Sequence, residues 1–228
     1  MKMENSLGIV GGLGPLASAY FYELLTLRTK ATKDQDHLNL VLLSHADTPD
    51  RTDYILDHSK PSPYPNLLED CKTLENLGCK LISIPCNTAN YFHDELQEEI
   101  KVPISNMIAN TVTYIKKHNY HNVVIMATTG TIKANLYQQY LEKENINYIL
   151  PNQDLVMSII YDYVKTGKKV PKELWEQTIK SCGQADCFIL GCTELSVLKK
   201  EFNLSEMFVD PLEIEADNIL DFFHKERL

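Results

Sequence analysis

Two stretches decide the fold, Leu81-Ile-Ser-Ile-Pro-Cys-Asn-Thr88 and Phe188-Ile-Leu-Gly-Cys-Thr-Glu194. Each is a short apolar run of the kind that forms a buried strand, closed by a cysteine and followed by a helix-like segment, Thr88 to Ile100 or Thr193 to Lys199. A strand that passes directly into a helix is the repeating unit of a parallel α/β sheet. A second pair of matching stretches lies upstream. Gly8-Ile-Val-Gly-Gly-Leu-Gly-Pro15 aligns with Val124-Ile-Met-Ala-Thr-Thr-Gly-Thr131, setting Gly14 against Gly130 as Cys86 is set against Cys192. Two similar halves in tandem are expected, each a strand-turn-helix set ending in a cysteine turn.

Outward from these turns the pattern continues along the chain. Strands are expected at Leu7 to Gly11, Leu38 to Leu43, Lys80 to Ile84, Val123 to Met126, Cys187 to Leu190 and Met207 to Val209. Amphipathic helices are expected at Leu16 to Thr29, Leu67 to Leu77, Met107 to Lys117, Leu136 to Glu144 and Leu212 to Phe223. The last carries Leu212, Ala216, Ile219 and Phe223 on one face, so it should dock on a core. The fold class is α/β with mostly parallel sheets flanked by helices.

The 228 residues suffice for one large or two small domains, and no apolar run approaches the roughly 18 residues of a membrane span. No signal-peptide stretch precedes the first strand, so a cytoplasmic protein is expected. The net charge of −9, with basic residues scattered, argues against a nucleic-acid partner. It also means that an anionic ligand must be captured by a few local cations or backbone N–H groups.

The six cysteines include no C-x-x-C pair, which excludes a zinc knuckle and a thioredoxin-type motif. Cys71, Cys79, Cys182 and Cys187 read as small buried hydrophobes. Cys86 and Cys192 differ, because each falls where a strand ends and a helix begins, the place where open α/β sheets bind ligands. The positive pole of the following helix favours a thiolate at both positions.

Taken in order, Gly11-Gly-Leu-Gly-Pro15, Pro49-Asp-Arg-Thr52, Pro85-Cys-Asn-Thr-Ala89, Ala127-Thr-Thr-Gly-Thr131 and Gly191-Cys-Thr-Glu-Leu195 resemble the motif set of the aspartate/glutamate racemase family across nearly the whole length. The resemblance implies two pseudo-symmetric α/β domains, residues 1–105 with 208–228 and residues 106–207, and an active site in the cleft between them. It further implies no pyridoxal phosphate, no metal and a homodimer. Lys165, in Ile160-Tyr-Asp-Tyr-Val-Lys-Thr-Gly167, stands where the family has a lysine that meets a substrate carboxylate. Two segments depart from the pattern, Ser44-His-Ala-Asp-Thr48 and Asn90, and both bear on side-chain specificity.

Racemisation removes a proton from one face of the α-carbon and returns one to the other, so Cys86 and Cys192 are expected to act as base and acid, exchanging roles with the enantiomer. The carbanion needs hydrogen bonds to its carboxylate and exclusion of water. Asn87, Thr88 and Thr193 beside the thiols, and Thr129, Gly130 and Thr131 in a second donor-rich turn, are the expected contacts; the first three also suit helix caps. Arg51, with Thr52 beside it, is the expected carboxylate clamp because a guanidinium recognises carboxylates bidentately. His45 and His93 read as packing residues. The run Pro61-Ser-Pro-Tyr-Pro65 reads as a loop and an active-site flap. Two alternatives remain open: a diacid isomerase or decarboxylase using the same thiols, and a dinucleotide-binding module. The second rests on Gly12-Leu-Gly-Pro-Leu-Ala17, but Ser44 and His45 stand where its acidic residue should end the second strand.

Overall fold

A computed structural model describes residues 3–228. In the first half, β1 (Leu7–Gly11) is central, with β2 (Leu40–Ser44) on one side and β3 (Leu81–Ser83) on the other, all parallel. In the second half, β4 (Asn122–Ala127) is central between β5 (Asn147–Ile149) and β6 (Cys187–Gly191), again parallel, and β7 (Phe208–Val209) extends the sheet beyond β6. The first sheet has a remnant of the same fourth strand, where Ile104 bridges Ile82 in parallel. Both sheets thus follow one strand order, and β3 and β6 are equivalent. Each leads into one of the two singled-out cysteines.

The helices of the first half are α1 (Pro15–Arg28), α2 (Arg51–Leu56), α3 (Tyr64–Leu77), α4 (His93–Glu99) and α5 (Met107–Lys117). Those that follow are α6 (Thr129–Lys133), α7 (Gln138–Lys143), α8 (Gln153–Ser158), α9 (Lys172–Lys180), α10 (Thr193–Phe202) and α11 (Pro211–Phe222). The helix after each fourth strand packs on the other half's sheet. Ile108, Val112 and Ile115 of α5 join Val123, Ile125 and Ile189, whereas Leu212, Ala216 and Ile219 of α11 join Leu7, Ile9 and Phe21. Each such Leu or Ile, fully buried, contributes about 1.5–3 kcal/mol, so this exchange fixes how the two sheets face one another.

The expected elements that differ do so for local reasons. β5 was not expected: its Asn-Tyr-Ile sequence is three residues long, on a sheet edge and only half-buried, so it carries no alternation to detect. The run at Pro61 is a loop only to Pro63; α3 begins at Tyr64 and accommodates Pro65 in its first turn, where a missing N–H has no partner to lose. Tyr64 then rests on Phe92, and none of residues 58–66 lines the cavities described below. Past Cys86 the chain makes a tight 3-10 turn (Thr88–Phe92) before α4 instead of one continuous helix.

Asp210, at the start of α11, is 1% exposed. Its Oδ1 accepts bonds from Ser196 Oγ and the Leu212 N–H, but Oδ2 has no partner. Burial, reinforced by Glu213, pushes this carboxyl from 3.8 to about 6, against the pull of Ser196, the Leu212 N–H and Lys199. A raised carboxyl value means that the folded state holds a proton the unfolded chain releases. This contribution to stability is present at low pH and is lost as pH rises through about 6. Asp210→Asn keeps the helix cap and removes the titration, so its melting temperature should exceed that of the parent at about pH 8, with the gap closing between about pH 6 and about pH 4. Thermal melts across that range check this, and a gap independent of pH would contradict it.

Candidate active site

The carboxyl ends of β3 and β6 converge on one small cavity, and both Cys86 and Cys192 line it. Its free volume is about 20 Å³, room for about one water molecule. Around the thiols stand Arg51 and Thr52 from α2, Asn87 and Thr88 from the turn after β3, Lys165, and Thr193 from α10. These expected residues are therefore brought together.

The two thiols have unlike neighbours. Cys192 is the N-cap of α10, as its sequence position suggested, yet its S–H donates to Glu194 Oε2 at 2.9 Å. Burial, then the charge and hydrogen bond of Glu194, push this thiol well above its ordinary value, with Lys165 opposing. The expectation that the helix pole makes Cys192 a ready thiolate is thus corrected. Desolvation and a carboxylate in contact exceed a helix-terminal effect of about 0.3–1 kcal/mol. Glu194 reaches this place because Gly14, at φ 102°, has no side chain: a Cβ there would lie 2.9 Å from Glu194 Oε1.

Cys86 instead faces the Arg51 guanidinium. Burial alone would weaken the charge on Arg51, but the neighbouring sulfur of Cys86 and the carboxylates of Asp50 and Glu194 outweigh it and hold the group more firmly protonated than usual. Arg51 Nη1 donates to the carbonyls of Pro49 (3.1 Å) and Thr48 (3.4 Å), which leaves Nε buried without a partner. Asn87 is similar. The Tyr137 hydroxyl donates to its Oδ1 and fixes the amide, while Nδ2 is buried and unpaired. Two orphaned donors in one cavity each carry a penalty of about 1–3 kcal/mol that an acceptor such as a carboxylate would remove.

A chain of hydroxyls closes the cleft. Thr88 Oγ1 lies 3.0 Å from Thr128 Oγ1 and 2.9 Å from Thr131 Oγ1, and Thr52 Oγ1 donates to Thr128 at 3.3 Å. Gly130 permits the approach, since a Cβ there would meet Thr52 Cα at 2.8 Å. The donor-rich turn is therefore shifted by one residue from expectation. Thr128 lines the cavity and caps α6, whereas Thr129 turns to Gln153 and Met157, Gly130 supports Thr52, and Thr131 backs the hydroxyl chain.

Lys165 lies 3.8 Å from Asp50 Oδ2 and 4.2 Å from the centre of the Tyr161 ring. It arrives through an irregular continuation of α8, a wide π-type turn at Ile159–Tyr163 and a tight turn at Val164–Thr166. Burial works against its charge, but Glu194, Tyr161, Cys192 and Asp50 together hold it more basic than usual. Asp50, Tyr161, Thr128, Glu194 and Leu13 also line the cavity and were not singled out from sequence. A carboxylate two residues after a helix-starting cysteine was the readable sign for Glu194, and a threonine closing a strand for Thr128. The remaining cysteines are buried; burial pushes Cys71 and Cys187 up to about 12, consistent with packing roles. His45 is held by Asp70 and Asn66, and His93 bonds the Ile104 carbonyl.

Two halves of one topology, with a small cavity carrying two thiols and several charged groups at their joined strand ends, define a two-lobed α/β enzyme. The sequence profile of Asp/Glu/hydantoin racemases matches residues 10–218. The structure of Picrophilus torridus aspartate racemase superposes with a TM-score of 0.89 at 33% identity, covering 98% of this chain and 96% of that one. The broad specificity amino-acid racemase RacX of Bacillus subtilis (strain 168) is 25% identical over 202 residues, 84% of this chain and 86% of the relative. Glutamate racemase of Aquifex aeolicus (strain VF5) is 28% identical over 159 residues, 67% of this chain and 62% of the relative. The chain belongs to the Asp/Glu/hydantoin racemase family and is an amino-acid racemase. Among the described residues no helix is long and apolar enough to cross a membrane.

Replacing Glu194 by glutamine removes the charge that holds the proton on Cys192. In a Cys86→Ala background, the pH at which iodoacetamide alkylates Cys192, followed by mass spectrometry, should move to lower values in Glu194→Gln; an unchanged profile would contradict the role of the carboxylate.

Proposed function

We propose that the protein interconverts L- and D-aspartate, glutamate or both by a two-base mechanism carried by Cys86 and Cys192. The observation that carries this reading is that both sulfurs line one cavity with oppositely charged neighbours, a guanidinium at Cys86 and a carboxylate at Cys192. In this reading the sulfur beside Arg51 and the sulfur bonded to Glu194 take the roles of base and acid in turn. One sulfur takes the α-proton while the other delivers its own to the opposite face. One turnover leaves the reverse assignment, which suits the other enantiomer, so a second turnover in the same direction requires the proton to be reset through solvent.

The unpaired Nδ2 of Asn87, with Thr88, Thr128 and Thr193, is suited to the α-carboxylate, where negative charge grows as the proton leaves. Arg51 and Lys165 are suited to the side-chain carboxylate. Together they supply the local positive charge that a protein of net charge −9 must provide for an anionic substrate. The reading includes the domain division, residues 1–105 with 208–228 against residues 106–207, with the site at their boundary, and a homodimer in the cytoplasm. It needs neither a metal nor pyridoxal phosphate.

Incubation with each enantiomer of aspartate and glutamate in D₂O tests the reading. Deuterium should appear at the α-carbon with no cofactor added, and Cys86→Ala and Cys192→Ala should each lose roughly 100- to 10,000-fold in racemisation. Full racemisation by either variant would contradict the two-base assignment.

A further inference from the structure

The residues that line the thiol cavity are of two kinds. Asp50, Arg51, Lys165 and Glu194 also line a second cavity beside it, about 390 Å³ in volume, whereas Asn87, 2% exposed, lines the thiol cavity alone. Asn87 is backed by Tyr137, the residue that precedes α7, and Tyr137 lines neither cavity.

Tyr137 is fully buried, and its contacts reach both cysteine turns. Its hydroxyl donates to Oδ1 of Asn87, the residue after Cys86. Its ring lies against Gly191, the residue before Cys192, where an added Cβ would stand 3.1 Å from Tyr137 Cε2. The ring belongs to the same core as Ala127, Leu141 and Ile189, so packing behind the cavity fixes where the hydroxyl stands.

An amide side chain has a donor end and an acceptor end of nearly equal size, and its partners alone decide which end faces where. Burial holds the Tyr137 phenol protonated far above its ordinary range, so its hydrogen is available to Asn87 Oδ1. With Oδ1 taken, the amide offers the cavity Nδ2, which is buried and has no partner. The reverse setting would present a carbonyl oxygen to a carboxylate, and two acceptors form no hydrogen bond.

We propose that Tyr137 is a positioning residue of the reaction, whose hydroxyl sets the Asn87 amide so that Nδ2 meets the α-carboxylate of the substrate. The proposal rests on the racemase reading of the thiol cavity. Tyr137 touches no substrate and acts through Asn87. The bond from Nδ2 forms when the carboxylate binds and strengthens as charge moves onto it with loss of the α-proton.

Kinetics of Tyr137→Phe, Asn87→Ala and the double variant on L-aspartate and L-glutamate decide the matter. Tyr137→Phe keeps the ring against Gly191 and removes only the hydroxyl. It should lower kcat/KM about 10- to 100-fold, the worth of one hydrogen bond to a charged group. In the Asn87→Ala background the same substitution should change kcat/KM by less than about threefold, since the group it sets is gone. An equal loss in both backgrounds, the mark of a merely structural role, would overturn the proposal; so would a Tyr137→Phe protein as active as the parent. Rescue is the second readout and holds even where Tyr137→Phe does not fold. p-Aminophenylalanine in place of Tyr137 retains a donor, so activity within about fivefold of the parent supports the proposal and a larger loss overturns it. If no amino acid is racemised, the racemase reading falls by itself. Calorimetric affinity for L-aspartate then still decides the role of Tyr137: weakening by Tyr137→Phe only where Asn87 is present supports it, and no binding, no weakening, or weakening independent of Asn87 overturns it.

Discussion

The Cys192 thiol donates a hydrogen bond to Glu194 Oε2 across 2.9 Å in a buried place, and the rest of the site is organised around that bond. In water, a thiol and a carboxylate side by side would both titrate independently. Here burial makes a second negative charge beside Glu194 costly, so the sulfur stays protonated. The opposite sulfur has the opposite neighbour, Arg51, itself held charged by Cys86 and two carboxylates. Two chemically identical side chains thereby stand beside opposite charges, a carboxylate at Cys192 and a guanidinium at Cys86.

The fold supplies the opposition. Because β3 and β6 hold the same position in sheets of the same order, the turns that follow them are related as the two halves are related, and each presents its cysteine from its own side. The exchange of α5 and α11 between the sheets locks this arrangement with fully buried side chains rather than with surface ion pairs. Gly14 and Gly130 matter for a narrower reason. At each, a single added carbon would collide with a group of the site, Glu194 or Thr52.

The strand-to-helix handovers, the tandem halves and the convergence of Cys86 with Cys192 were legible in the sequence, because short apolar runs and repeated turns register directly as pattern. Arg51, Asn87, Thr88, Lys165 and Thr193 were legible through their motifs. What was not legible depends on distance across the fold. Glu194 was in view as part of a motif, but nothing in its spacing says that its carboxylate overrides the helix pole at Cys192. Thr128 and Thr129 are adjacent and alike, and only the cap geometry of α6 decides which of them turns inward. The second cavity has no sequence signature at all, since α1, the segment after α8, and α10 meet there only once folded.

The central claim is geometric: the α-carbon is held between two sulfurs that approach it from opposite faces. A crystal structure of the inactive Cys192→Ser protein with bound L-aspartate tests it most directly. The account predicts the α-carbon between Cys86 Sγ and the serine hydroxyl, one on each face, with the α-carboxylate against Asn87 Nδ2. Both groups on the same face of the ligand, or a ligand whose α-carbon lies out of reach of either, would contradict it.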